Sequence, residues 1–183
     1  EGHDAVNGTI GALLENDGSL AINQTVDKFV RSSPPIEIAA YAPLKGLPEF
    51  LDLAVTLALG DARGELESIG VHHTATASPG GSGALYLAAA NYADRGSKVL
   101  LRDRHWGPYD GFLAGCGLGI ATYPLLNEAQ CLDLPGLKDS LTNLAKSQSK
   151  VMSWLNDPAH NPTGLSLTAS ERMGVLRAFA NVA

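Results

Sequence analysis

The spacing of apolar residues changes period along this chain. From Gly46, GLPEFLDLAVTLALG sets Leu47, Phe50, Leu51, Ala54, Leu57 and Ala58 on one helical face. Pro48 suits its first turn and Gly60 can end it. Beyond it, short β-rich runs alternate with helical patterns. VHHTATA reads as a strand leading into SPGGSG, and GALYLAAANYAD as a helix with Leu85, Ala88, Ala89 and Tyr92 on one side. SKVLLRD predicts a strand, GPYDGFLAGCG a glycine-weakened helix, and GIATYPLL a strand. LPGLKDSLTNLAKSQ carries Leu137, Leu141, Leu144 and Ala145 as a helical stripe, and KVMSWLN is a further strand. LTASERMGVLRAFANVA opens with Thr168 and Glu171 at capping-box spacing. Residues 1–35 read as irregular, apart from a hairpin turn at Asn16-Asp17-Gly18, and SSPP breaks the chain.

This alternation predicts an α/β fold of three αβα layers with a mainly parallel sheet. Ligands of such sheets bind at the carboxyl ends of the strands. Three segments are expected there: SPGGSG, RDRHWGPY and NDPAHNPTG. The last helix runs to the C-terminus with no closing element, so an incomplete domain is expected, with bare apolar faces and self-association or a rearranged strand order.

Composition narrows the classes. With 45% apolar and 17% charged residues in 183, the chain is globular and long enough for one core. A net charge of −6 and no basic run argue against nucleic acid. No apolar run reaches the ~20 residues of a membrane span. Cys116 and Cys131 form no C-x-x-C pair and have no His at metal spacing, so they read as buried thiols in a reducing compartment, with no metal. A cytoplasmic location is expected, with a lost targeting segment left open because the sequence opens without Met.

The three segments differ in chemistry. Gly80, Gly81 and Gly83 allow close backbone approach; Ser82 offers a hydroxyl, and a helix start offers free N–H groups, which together suit a phosphate. A purely structural glycine turn is the plain alternative. A dinucleotide-binding turn is another, with Asp103 in the place of its ribose-binding acid, but PGGSGALY lacks G-x-G-x-x-G spacing. Trp106 lies in a loop, where its face can stack on an aromatic ring or pack under the loop. Pro158 and Pro162 restrict the backbone around Asn161, whose amide donates at any pH. His160 reads as a supporting residue. A phosphate seat, a stacking face and a rigid amide suit a flat phosphorylated aromatic cofactor such as pyridoxal phosphate.

AHNPTG is similar to the N-P-T-G motif of class I aminotransferases, and SPGGSGAL resembles the phosphate loop of the aspartate and aromatic branch. YAPLKGLPEF and NGTIGALLENDGSL resemble that branch too, in order, so the resemblance runs from about Val6 to the C-terminus. It implies the large domain of a fold type I transferase that uses pyridoxal 5'-phosphate, with residues 1–40 as an N-terminal arm or small-domain segment and 41–183 as a partial large domain. It further implies that Gly81 and Ser82 hold the phosphate and that Trp106 stacks on the ring. Asn161 is implied to bind the ring's phenolic oxygen and the substrate α-carboxylate. Gly11 would line the substrate side, with Trp106 beside it. Tyr41 would reach the phosphate of a neighbouring subunit, which implies a homodimer. Substrates would be an amino acid, aspartate or aromatic, and a 2-oxo acid. In this family the Schiff-base lysine follows N-P-T-G by several dozen residues, whereas only 19 residues follow Gly164 here. Lys28, Lys45, Lys98, Lys138, Lys146 and Lys150 match no such position, so no catalytic residue is expected in this chain. A lyase of the same fold and a dinucleotide-binding domain are the alternatives.

Overall fold

The computed structural model describes residues 11–182. Its centre is strand β1 (Lys98–Arg102), in a three-stranded parallel sheet of order β2-β1-β3. β2 is Gly119–Tyr123 and β3 is Met152–Ser153. Lys98 pairs with Gly119 and Arg102 with Tyr123 on one side; Val99 pairs with Met152 and Leu100 with Ser153 on the other. Trp154 N–H donates to the Leu100 carbonyl at 3.3 Å and carries the ladder one residue further.

Alternate residues of a strand face opposite ways, and β1 fills two layers by that rule. Val99 and Leu101 pack with Ala89 of α5 (Gly80–Tyr92) and with Tyr109 and Leu113 of α6 (Pro108–Gly115). Leu100 packs on the other face with Leu137, Leu141 and Leu144 of α7 (Leu134–Ser147), and Val175 and Ala178 of α8 (Ala169–Ala180). The result is the expected αβα sandwich with a parallel sheet. Two of its helices, α7 and α8, start on side chains. Asp133 Oδ1 accepts the Gly136 N–H at 3.0 Å at the head of α7. At the head of α8, Thr168 Oγ1 accepts the Glu171 N–H at 3.2 Å while Glu171 accepts the Thr168 N–H at 2.8 Å, the predicted capping box.

The N-terminal part departs from the irregular reading. Asn7 to Ile10 of NGTIGALLENDGSL lie outside the described residues. The hairpin turn is present, with Leu14 bridged to Leu20 and Asp17 accepting from the Ser19 N–H and hydroxyl. Two helices follow, α1 (Gln24–Ser32) and α2 (Pro35–Ala39), split by the predicted Ser-Pro break. α1 starts where Asn23 Oδ1 accepts from the Thr25 and Val26 N–H groups, a cap the apolar pattern does not reveal. α3 (Pro48–Leu59) follows the predicted span, and a further helix, α4 (Ala62–Ser68), follows it. The expected apolar face of α3 is not buried: Leu51, Ala54 and Val55 are half-covered, while Phe50 and Leu57 are exposed. Tyr92 and Ala145 are likewise exposed members of stripes whose other residues are buried or half-buried. The cysteines are also corrected, Cys116 being half-buried and Cys131 exposed.

VHHTATA forms no strand. Among the described residues nothing offers Val71–Ala77 a ladder, and extended backbone becomes a strand only beside a partner. Its start is held to α4 by the Val71 N–H donated to the Leu66 carbonyl and by His73 Nε2 on Glu67, and its end by the Ala77 N–H donated to the Lys45 carbonyl at 2.8 Å. That contact is close because residue 46 is glycine, with φ of +106°. A Cβ there would lie 2.7 Å from the Ala77 Cβ.

Stability is therefore concentrated in the sandwich. Leu141→Ala removes a fully buried side chain and is expected to cost about 2–5 kcal/mol in denaturant unfolding, against under ~0.5 kcal/mol for Leu57→Ala, which is 88% exposed. The apolar side chains left in solvent along α1 to α3, Val26, Phe29, Ile36, Phe50 and Leu53 among them, are expected to drive concentration-dependent self-association. A concentration-independent monomer mass by light scattering would contradict this.

Candidate functional site

β1 and β3 are adjacent and parallel, so the segments that follow them leave the sheet at the same edge. The first, Asp103–Gly107, carries Trp106; the second, Asn156–Gly164, carries Asn161. They are joined by a hydrogen bond from Asn156 Nδ2 to the Tyr109 hydroxyl at 3.4 Å. Tyr109 is the hub. Its ring meets Trp106 edge-on at 5.5 Å and Trp154 at 5.0 Å. Trp106 also lies against Phe112, at 5.9 Å, and is half-buried. One side of this ring packs under the loop, and the residue keeps part of its surface in solvent.

The Asn161 turn is held from several sides. His160 is 2% exposed, and its Nδ1 meets the Thr163 hydroxyl at 2.8 Å, a supporting role as expected. The His160 N–H donates to the Leu165 carbonyl, and the Ala159 N–H to the Ser166 hydroxyl. Asp157 accepts the Leu167 N–H through Oδ1 and the Arg172 guanidinium through Oδ2. Asn161 stands exposed at the tip. Beneath lies Arg102, 3% exposed, whose guanidinium donates to the Asn156 carbonyl at 3.1 Å and to the Tyr123 hydroxyl at 3.4 Å. Its Nη2 is buried without a partner among the described residues. Residue patterning alone does not single out Arg102. The available signal was a cation closing the apolar run KVLLR.

SPGGSG begins α5, but no strand precedes it among the described residues, so its place at a strand end is not borne out. It does open a helix. The N–H groups of Gly81 and Ser82 have no acceptor among the described residues, both residues are exposed, and a Cβ on Gly81 would meet open space. At Gly83 a Cβ would lie 2.5 Å from the Pro79 ring, so a glycine is required by packing there. α5 packs on α6, and Leu85 and Trp106 flank the same apolar cluster. Asp103 Oδ1 accepts the Arg104 and Leu125 N–H groups. No strand precedes the glycine turn among the described residues, so the strand-turn-helix geometry a dinucleotide site needs is not formed. Tyr41 is 92% exposed and Gly11 is exposed, and neither contributes to the cluster around Tyr109.

Two histidines of the site carry opposite shifts. Burial lowers His105, but the Asp110 carboxylate and the Arg102 carbonyl outweigh it and hold the group above its ordinary value. His160 is held below its ordinary value, first by burial and then by the charge of Arg102.

Comparison with known proteins identifies the family and fold of the chain. The chain matches the family Aminotransferase class I and II over residues 6–181. It is 32% identical over 140 residues to a mitochondrial aspartate aminotransferase of Schizosaccharomyces pombe, covering 75% of this chain and 31% of that protein. The fold superposes on an aminotransferase from Anaerococcus prevotii with a TM-score of 0.88 at 24% identity, covering 96% of this chain and 42% of that one. The cytoplasmic aspartate aminotransferase of Saccharomyces cerevisiae superposes with a TM-score of 0.75 at 26% identity, over 94% and 42% of the two chains. The chain thus spans well under half the length of the proteins it matches.

The histidine shifts have a measurable sign. A raised folded-state pKa stabilises below the free imidazole value of 6.5, and that stability is lost as pH rises through the raised value. A lowered one stabilises above 6.5, and that is lost as pH falls through the lowered value. The melting-temperature loss in His105→Gln is expected to be larger at about pH 5.5 than at about pH 8.5, and that in His160→Gln larger at about pH 8.5. Equal losses at both pH values in thermal melts would refute the assignment.

Proposed function

We propose that this chain, which belongs to the Aminotransferase class I and II family, supplies the cofactor cradle of an enzyme that moves an amino group between an amino acid and a 2-oxo acid. The observation that carries the reading is the shared sheet edge: Trp106 and Asn161 follow adjacent parallel strands, and Tyr109 binds their two segments together. The amino acid we assign is aspartate, as in the named relatives, or an aromatic one.

The residues fit pyridoxal 5'-phosphate. The unpaired Gly81 and Ser82 N–H groups and the Ser82 hydroxyl form an anion seat at the start of a 13-residue helix, with open space where a side chain would otherwise stand. The exposed part of Trp106 offers a stacking face. Asn161 would donate to the ring's phenolic oxygen and to the substrate α-carboxylate. Gly11 is assigned to the substrate side. Tyr41 stands clear of its own fold, which supports a reach to the phosphate of a second subunit in a homodimer. The division at residue 40 suits this arrangement, since little of 11–40 is covered by the rest.

When bound, the cofactor supplies an electron sink for charge developing at the amino acid's α-carbon. The chain's own residues bind and orient; none holds or moves the α-proton. Lys98 opens β1 at the end opposite the site, Lys138 and Lys146 lie in α7, Lys150 pairs with Asp94, and Lys28 lies in α1. Lys45 lies before α3, well ahead of the Asn161 turn in sequence. The two thiols, without a disulfide, support a reducing, cytoplasmic setting. No described helix is long and apolar enough to cross a membrane.

Titration of the 183-residue chain with pyridoxal 5'-phosphate tests this reading. Saturable binding is expected, weakened about 10- to 100-fold in Ser82→Ala by loss of a charge-assisted hydrogen bond. Amino-group transfer between aspartate and a 2-oxo acid is expected not to exceed that of the free cofactor. Ordinary enzymatic turnover by this chain, or affinity indifferent to Ser82, would overturn the proposal.

A further inference from the structure

His105 precedes Trp106 in the connection between β1 and α6, and both its ring nitrogens are engaged. Nδ1 meets the Arg102 carbonyl at 2.9 Å, at the last residue of β1. Nε2 meets Asp110 Oδ1 at 2.8 Å, in the first turn of α6. The side chain is only 16% exposed. Its ring lies parallel to that of Tyr109, within 7° at 6.2 Å, and Tyr109 is the ring that Trp106 meets edge-on. The Tyr109 N–H also donates to the Trp106 carbonyl at 3.0 Å. A tryptophan in a connection whose other residues, Asp103, Arg104 and Gly107, are exposed needs something to hold it. These contacts supply it on both sides of the turn.

We propose that His105 is the positioning residue for Trp106: its imidazole staples the end of β1 to the first turn of α6 and so fixes the plane of the indole offered to a ligand. Both facing atoms are acceptors, so a ring with a proton on each nitrogen satisfies them together. The direction of the His105 shift agrees with this. The proposal rests on Trp106 being the stacking face. A histidine that merely steadied α6 would affect melting without affecting the indole.

The chain has two tryptophans, so Trp154→Phe leaves Trp106 as its sole indole reporter. In that background, without cofactor, His105→Ala and Asp110→Ala are expected to lower Trp106 anisotropy and raise its acrylamide quenching about twofold or more. Asp110→Asn, which keeps an acceptor for Nε2–H, is expected to retain both signals. Pyridoxal 5'-phosphate is then added. Saturable quenching of Trp106 is expected, with affinity about fivefold weaker in His105→Ala. Unchanged anisotropy and acrylamide quenching in His105→Ala, with helical circular dichroism intact, would overturn the staple. Should His105→Ala fail to fold, Asp110→Ala matching Asp110→Asn would overturn it as well. If the staple signals behave as expected but pyridoxal 5'-phosphate leaves Trp106 unquenched in every variant, the stacking reading fails, and with it the ligand half of this proposal.

Discussion

β1 is hydrogen-bonded along both edges and covered on both faces, and no other strand of the described chain is. Val99, Leu100 and Leu101 are each 1% exposed or less. Two parallel neighbours force both site segments to leave the sheet in one direction, and the two helical layers hold that direction fixed. The residues that could bind a ligand contribute little to this frame. Asn161 and Ser82 are exposed and Trp106 is half-buried. The frame is made by leucines, and the chemistry sits at its margin.

Arg102 marks the transition between the two. It ends β1 on the face that buries Leu100, so a cation occupies a position where the strand's pattern calls for an apolar residue. Burial of a guanidinium is costly unless its donors are used. Here two of its nitrogens hold the Asn156 carbonyl and the Tyr123 hydroxyl, tying the Asn161 segment to two strands. Its charge also helps keep His160 neutral, which leaves a ring nitrogen able to accept from Thr163.

Elements that bury themselves were legible in the sequence. The Leu137, Leu141 and Leu144 stripe, the KVLLR run and the Thr168–Glu171 cap are local patterns with local consequences, and each stands where expected. VHHTATA was misread because strand-forming residues state a preference that only a neighbouring strand can satisfy. α1 was missed because its start depends on one capping side chain, Asn23, and none of its residues is buried. Of the candidate site, Trp106, Asn161 and the free amides of Gly81 and Ser82 could be picked out from loop position and residue type. Tyr109, His105 with Asp110, and Arg102 could not, because their contacts join segments through rings and carbonyls that no spacing rule encodes.

Gly46 extends the constraints on the proposed anion seat beyond its own loop. Its bare Cα lets the turn before α3 lie against Ala77, two residues ahead of Pro79 and the start of α5. A methyl group there acts as a wedge at the root of the glycine turn, pressing on the distant Ala77 as well as on its near neighbour Leu51. The region vulnerable to substitution is therefore larger than the region that touches a ligand, and it reaches more than thirty positions upstream.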